Sequence, residues 1–236
     1  MLIMASLISV TSCSKDDDDR PDIPKKISMT VGDVYSFEYQ GDWASTKPFV
    51  ATVDENGAVT AVRAGEAKIY SAELGLKCDV TVVPEYTLYD EPITEWGISK
   101  SDLIKKRGTP DAFLETSIAY QTNNDATTLE MYIFEDNTLS MAAVDVNTLY
   151  TEELLEHLSQ RMLPAYYDEE EYIIYFIDAE TLEDAETVVL AQLYEEDGYW
   201  LVAYMPNIST RGVSNFEDLY KNVKSQFDSF SAKMKF

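Results

Sequence analysis

Val50-Ala51-Thr52-Val53-Asp54-Glu55-Asn56-Gly57-Ala58-Val59-Thr60-Ala61-Val62 is the stretch from which the fold of the first part of the chain is read. Two short runs of small and β-branched residues flank a segment built from Asp, Asn and Gly. β-Branched side chains suit a pleated, half-buried surface, and the runs are too short for helices. Asx residues bond their own backbone and Gly accepts a positive φ, so the middle segment reads as a tight strand connection.

The same grammar extends to both sides. Ile27, Met29 and Val31 alternate before Gly32-Asp33, and Tyr35, Phe37 and Tyr39 alternate after it. Ala67 to Ser71 and Lys77 to Val83 complete a set of short strands with turn signals about every eight to twelve residues, the pattern of an all-β sandwich. Val50, Val53, Val59, Val62 and Ile69 are expected in its core, with Trp43 over one end. Gly57 and Gly65 are expected where a Cβ would hinder the chain. Cys78 alternates with Val80 and Val82, so its thiol is expected to point inward.

The stretches Val31-Gly32-Asp33, Trp43-Ala44-Ser45, Val50 to Asp54, Asn56 to Val62 and Ala64-Gly65-Glu66-Ala67-Lys68-Ile69 together resemble the group 2 bacterial Ig-like (BIG2) domain. The resemblance implies an Ig-like sandwich over residues 24–84. It also implies a role in surface proteins as a spacer or, less often, an adhesive module; the spacer is the reading preferred here.

Residues 85–236 read as an α+β domain. Ser99 and Asp102 stand at helix-start spacing, and Gly108 with Pro110 beyond it marks the stop. Strands are predicted at 112–121, 127–135 and 138–146, with a turn at Asp136-Asn137. A second helix at 151–162, capped by Thr151, carries Leu154, Leu155, Leu158 and Met162 on one face. Strands at 172–177, 187–194 and 199–205 follow, with Asp197-Gly198 as a turn. Helix-then-strands, twice over, suggests a duplicated helix-plus-antiparallel-sheet unit. A C-terminal amphipathic helix closes it: Ser214 and Glu217 form a capping box, and Phe216, Leu219, Tyr220, Val223, Phe227 and Phe230 form an apolar stripe. Trp96 to Leu103 and Gly108-Thr109-Pro110-Asp111 faintly resemble β-lactamase-inhibitor-protein-like repeats, which implies binding through a sheet face.

At the other end, Leu2 to Val10 is an apolar run followed by Thr11-Ser12-Cys13 and then Ser14-Lys15-Asp16-Asp17-Asp18-Asp19. Even carried to Cys13, a helix there would cover only ~20 Å, short of the ~30 Å hydrocarbon layer. The segment resembles the lipobox and acidic export signal of Bacteroidetes surface lipoproteins. That resemblance implies a signal peptide at 1–12, a lipid on the Cys13 thiol and an acidic tether at 13–23. No Lys or Arg precedes Cys13, where that family carries a basic stretch. Two or more acyl chains anchor stably, at ~0.8 kcal/mol per buried CH₂. The implied location is the outer membrane, facing outward, and the implied membrane contact runs through Cys13.

Composition narrows the function classes. The 236 residues carry a net charge of −25, with 45% hydrophobic and 12% aromatic residues. The charge is −5 through Pro84 and −20 from Glu85 onward. Such a field repels phosphate backbones, so nucleic acid is not an expected partner. Cys13 and Cys78 are the two cysteines, so lipidation of the first leaves no pair for an internal disulfide.

The single histidine, His157, in the middle of the 151–162 helix, is expected as a boundary residue of that helix, and one His cannot complete a hydrolytic triad or the usual zinc set. Neither a phosphate loop nor a dinucleotide fingerprint is present, and no cofactor or metal is expected. Asp168-Glu169-Glu170-Glu171 reads as a solvated charge run. Among 16 Tyr, 3 Trp and 9 Phe, the consecutive pairs Tyr166-Tyr167 and Tyr199-Trp200 stand out. On strands, neighbours face opposite sides, so one ring of each pair is a candidate binding platform. The expected function is therefore non-catalytic binding of a glycan or other extracellular ligand at the cell surface. The alternatives are a protein-protein module, as an inhibitor or envelope-assembly component, and then a carbohydrate-active enzyme using two carboxylates.

Overall fold

A computed structural model describes residues 22–207 and 214–234. The expected signal peptide, Cys13 and the acidic run lie outside the described residues, as do the side chains of Ser214 and Glu217.

Seven strands come first: β1 Lys26–Thr30, β2 Val34–Ser36, β3 Trp43–Ser45, β4 Ala51–Val53, β5 Ala58–Ala61, β6 Gly65–Ser71 and β7 Leu76–Val83. One sheet has the order β1-β7-β6-β3, with β1 parallel to β7, and the other has the order β2-β5-β4. Between them lies a shared core of Met29, Phe37, Val50, Val59, Ile69, Cys78, Val80 and Val82. β7 shows why: alternate side chains point to one face, so Cys78, Val80 and Val82 are buried while Lys77, Asp79 and Thr81 stay in water. Val53 and Val62 are only half-buried, because they sit where β4 and β5 run out into turns. Trp43 stacks on Phe37 at 5.0 Å and donates from Nε1 to the Tyr39 carbonyl at 2.8 Å. Gly57 lies beneath this pair at φ 77°, where a Cβ would stand 2.8 Å from the Tyr39 oxygen.

A connector leads to α1 Lys100–Arg107 and then β8 Ala112–Phe113, β9 Ser117–Asn124, β10 Thr127–Glu135 and β11 Thr138–Asn147. After one 3₁₀ turn come α2 Thr151–Ser159, β12 Leu163–Asp168, β13 Ile173–Ile177, β14 Thr187–Tyr194, β15 Tyr199–Pro206 and α3 Ser214–Met234. The eight strands form one sheet, β12-β13-β14-β15-β11-β10-β9-β8, antiparallel at every pairing. Each half is a helix followed by a four-strand meander, and the halves meet at β11 and β15. The sequence reading had three strands per half. The predicted 112–121 strand is two pieces, broken at Leu114–Thr116, and β12 was not predicted as a strand at all.

Helices pack on both faces of this sheet and leave β12 uncovered at its edge. Leu103 of α1 and Leu154 and Leu158 of α2 pack on one face with Tyr132, Phe176, Val202 and Tyr204. Val223, Phe227 and Phe230 of α3 pack on the other with Met131, Met141, Leu201 and Met205. Each such buried side chain contributes ~1.5–3 kcal/mol.

The local signals differ in outcome. Ser99 caps α1 through the Asp102 N–H at 3.1 Å, and its hydroxyl donates to the Asp102 carboxylate. Thr151 does not cap α2: it is the first helical residue, and its hydroxyl donates to the Thr148 carbonyl. Asp136 and Asn137 both take positive φ, 48° and 66°, which closes the β10–β11 hairpin in two residues. The β14–β15 connection is longer, four residues from Glu195 to Gly198, and not the two-residue turn predicted.

Candidate binding sites

Among the described residues, the β12–β13 hairpin carries the most exposed aromatic group in the C-terminal half. Tyr166, Tyr167 and Tyr172 are 62%, 47% and 55% exposed. Tyr166 pairs with Tyr175 across the strands, with ring centroids 5.6 Å apart, on the face that α3 shares. Tyr167 pairs with Ile174 and so faces the α2 side. The connecting turn is held by Asp168, whose Oδ1 accepts the N–H groups of Glu170 and Glu171 at 3.0 and 3.1 Å. Gln192 of β14 donates to the Glu171 carbonyl at 3.1 Å, which ties the turn to the sheet. Tyr172 sits at φ 52°, and its carbonyl accepts the Leu193 N–H. The tyrosines therefore stand on an anchored scaffold.

Tyr199 and Trp200 do not join them. They face opposite sides, but each side is occupied. Trp200 is 7% exposed beneath α2, with Nε1 donating to Thr151 Oγ1 at 2.8 Å. Tyr199 packs on Phe227 at 5.1 Å and on Tyr194 at 5.6 Å, so it serves the docking of α3. Lys224 of α3 lies 4.7 Å above the Tyr194 ring and pairs with Asp228 and Asp197 at 2.6 and 3.4 Å. Trp200 is thus corrected from a surface platform to a core residue: the covering helix lies far away in sequence from the strand that it shields.

A polar cleft of about 420 Å³ opens between the connector, the end of α1 and β9–β10. Glu130, buried at its floor, accepts Arg107 Nε and Nη2 at 2.9 and 2.6 Å on one oxygen and the Tyr132 hydroxyl on the other. The Tyr132 oxygen in turn accepts the Ile93 N–H at 2.9 Å. Its hydroxyl is held strongly against ionising by burial and by the neighbouring Glu130 charge. The guanidinium also lies 4.9 Å over the Tyr120 ring, whose hydroxyl is pushed up to about 12 by burial. Sequence reading missed Glu130. The available signal was an acid at an inward position, in step with Tyr132 and Phe134 on the same strand.

His157 is fully buried and so is not the boundary residue of its helix that was expected. Its Nδ1 accepts the Leu88 N–H and its ring lies 4.2 Å from Tyr89. Burial first, and the Arg161 charge second, lower its pKa to about 3, so the ring is neutral. The Cys78 thiol, buried in the first core, is pushed up to about 11, mainly by burial, so the thiolate is scarce. Among the described residues no group of three or more His, Cys, Asp and Glu could hold a metal ion, and no helix is long and apolar enough to cross a membrane.

No family model matches the chain. The chain is similar to the polysaccharide lyase 8 family protein HylA of Enterococcus faecalis, 30% identical over 125 residues. That stretch is 48% of this chain, and the chain spans 9% of that much longer relative.

Proposed function

We propose that this chain is a cell-surface lipoprotein, held through lipid on Cys13, that binds an extracellular ligand without catalysis. In this reading residues 24–84 form an Ig-like spacer of the BIG2 kind. Residues 85–236 form a duplicated α+β unit that carries the binding surface. The supporting observation is the β12–β13 hairpin, where three exposed tyrosines stand together on an anchored scaffold. Similarity to a segment of a polysaccharide lyase family protein supports a setting in which glycans are at hand.

The test uses the mature protein from Cys13 onward on a glycan array and against a panel of peptides. Binding that falls at least tenfold in Tyr166→Ala/Tyr167→Ala supports the hairpin as the site. Incubation with hyaluronan, chondroitin and peptidoglycan is the second arm. Release of unsaturated or reducing sugars would overturn the non-catalytic reading.

A further inference from the structure

The two edges of the eight-stranded sheet are built differently. At one end β8 has two residues, and the Asp111 carboxylate accepts the next outward N–H, that of Gln121, at 2.9 Å. At the other end β12 has six residues and no strand on its outer side among the described residues. Pro164 and the irregular pairing between Pro164 and Tyr166 blunt its first half. That leaves Tyr166-Tyr167-Asp168 open. Three residues suffice for pairing in this chain, since β2, β3 and β4 each pair over three.

Charge is equally lopsided. Between Arg161 and Arg211 there are twelve Asp and Glu and neither Lys nor Arg, whereas residues 100–147 hold four basic and eight acidic residues. Glu169, Glu170 and Glu171 crowd the tip of the hairpin that β12 opens. This field repels an acidic glycan, and it repels a second copy of a chain whose net charge is −25.

We infer that the outer edge of β12 takes an extended, basic polypeptide segment as an added strand. The inference rests on the reading of the hairpin as the binding site and names its partner. Side chains of an added strand alternate between the two faces of the sheet, and Tyr166 and Tyr167 flank the edge on those two faces. A Lys or Arg on either face meets a tyrosine ring with carboxylates close by.

The probe is a labelled ten-residue peptide alternating Lys with Val and Thr, titrated into the mature protein by fluorescence anisotropy. Its control has the same sequence N-methylated at consecutive residues, which keeps the charge but leaves neither edge able to donate. The parent peptide is expected to bind, and the control at least tenfold more weakly. Tyr166→Ala and Tyr167→Ala are each expected to weaken binding about threefold. Glu169→Gln/Glu170→Gln/Glu171→Gln is expected to flatten the salt dependence, with circular dichroism unchanged in every variant. Equal binding of both peptides means charge attraction alone and overturns the inference, as does no peptide binding. If a neutral glycan binds and Tyr166→Ala abolishes it while the peptide stays unbound, the polypeptide partner is wrong and the hairpin site stands. Blank results with both ligands overturn the hairpin reading as well.

Discussion

His157 Nδ1 accepts the backbone N–H of Leu88 at 3.2 Å, tying the interior of α2 to a connector 69 residues earlier in the chain. Arg161, one turn further along, donates to the carbonyls of Tyr86 and His157, to Thr87 Oγ1, and pairs with Glu91 at 3.2 Å. The connector is thereby fixed against the sheet before α1 begins.

This bond predicts a pH response. The unfolded chain protonates His157 near pH 6.5, whereas the folded chain resists until about pH 3. Stability is therefore whole above pH ~6.5 and falls as pH drops, by up to about 1.4 kcal/mol per unit from this group. Asp145, whose carboxyl is raised by burial, acts in the opposite sense, since the folded chain takes up its proton first. Urea unfolding of wild type and His157→Gln between pH 7 and 4 isolates the histidine. Parallel pH curves for the two proteins would contradict the assignment.

Glu130→Ala leaves the buried Tyr132 hydroxyl without its carboxylate and the Arg107 guanidinium without its anion. A loss of ~3 kcal/mol in denaturant unfolding is expected, and less for Glu130→Gln, which keeps the shape and one acceptor. Equal stability of the alanine variant and wild type would show that the pair contributes nothing net.

Gly57→Ala places a methyl 2.8 Å from the Tyr39 oxygen and 3.1 Å from Trp43 Nε1, at a φ of 77°. A cost of roughly 1–3 kcal/mol is expected, together with a red-shifted tryptophan emission as Trp43 loosens. A melting temperature unchanged by this substitution would mean that the turn readily takes another course.

Tyr166→Ala and Trp200→Ala should separate cleanly in stability. The exposed tyrosine is expected to cost within about 0.5 kcal/mol, and the buried tryptophan ~3–5 kcal/mol. Thermal melts of both variants check this. A binding defect in Trp200→Ala alone would therefore report on folding.

Cys13→Ser should move the protein from the membrane fraction to the soluble one and remove the acyl mass on the N-terminal peptide. Mass spectrometry of the detergent phase reads it directly; an unmodified wild-type Cys13 would dismiss the anchor.

Much of the fold was legible because period and punctuation are local. The alternation through Cys78, Val80 and Val82 placed those side chains inward, and Asp136-Asn137 marked a hairpin. β12 escaped for the same reason. Leu163-Pro164-Ala165-Tyr166-Tyr167-Asp168 is an edge strand with no buried face to impose alternation, and its Pro argues against a central strand. The His157 reading failed because an amphipathic pattern cannot tell which polar residue a distant connector will cover.

Sequence alone determined the positions of most strands and helices and where charge accumulates, since these follow from neighbours along the chain. Tertiary structure alone decided that Trp200 is roofed by α2, that Tyr199 serves α3, and that Tyr166 and Tyr167 stand on an edge open among the described residues. The reason is physical: exposure is set by which elements meet across the sheet, and the strand order, with β15 beside β11, is a long-range outcome that no local pattern encodes.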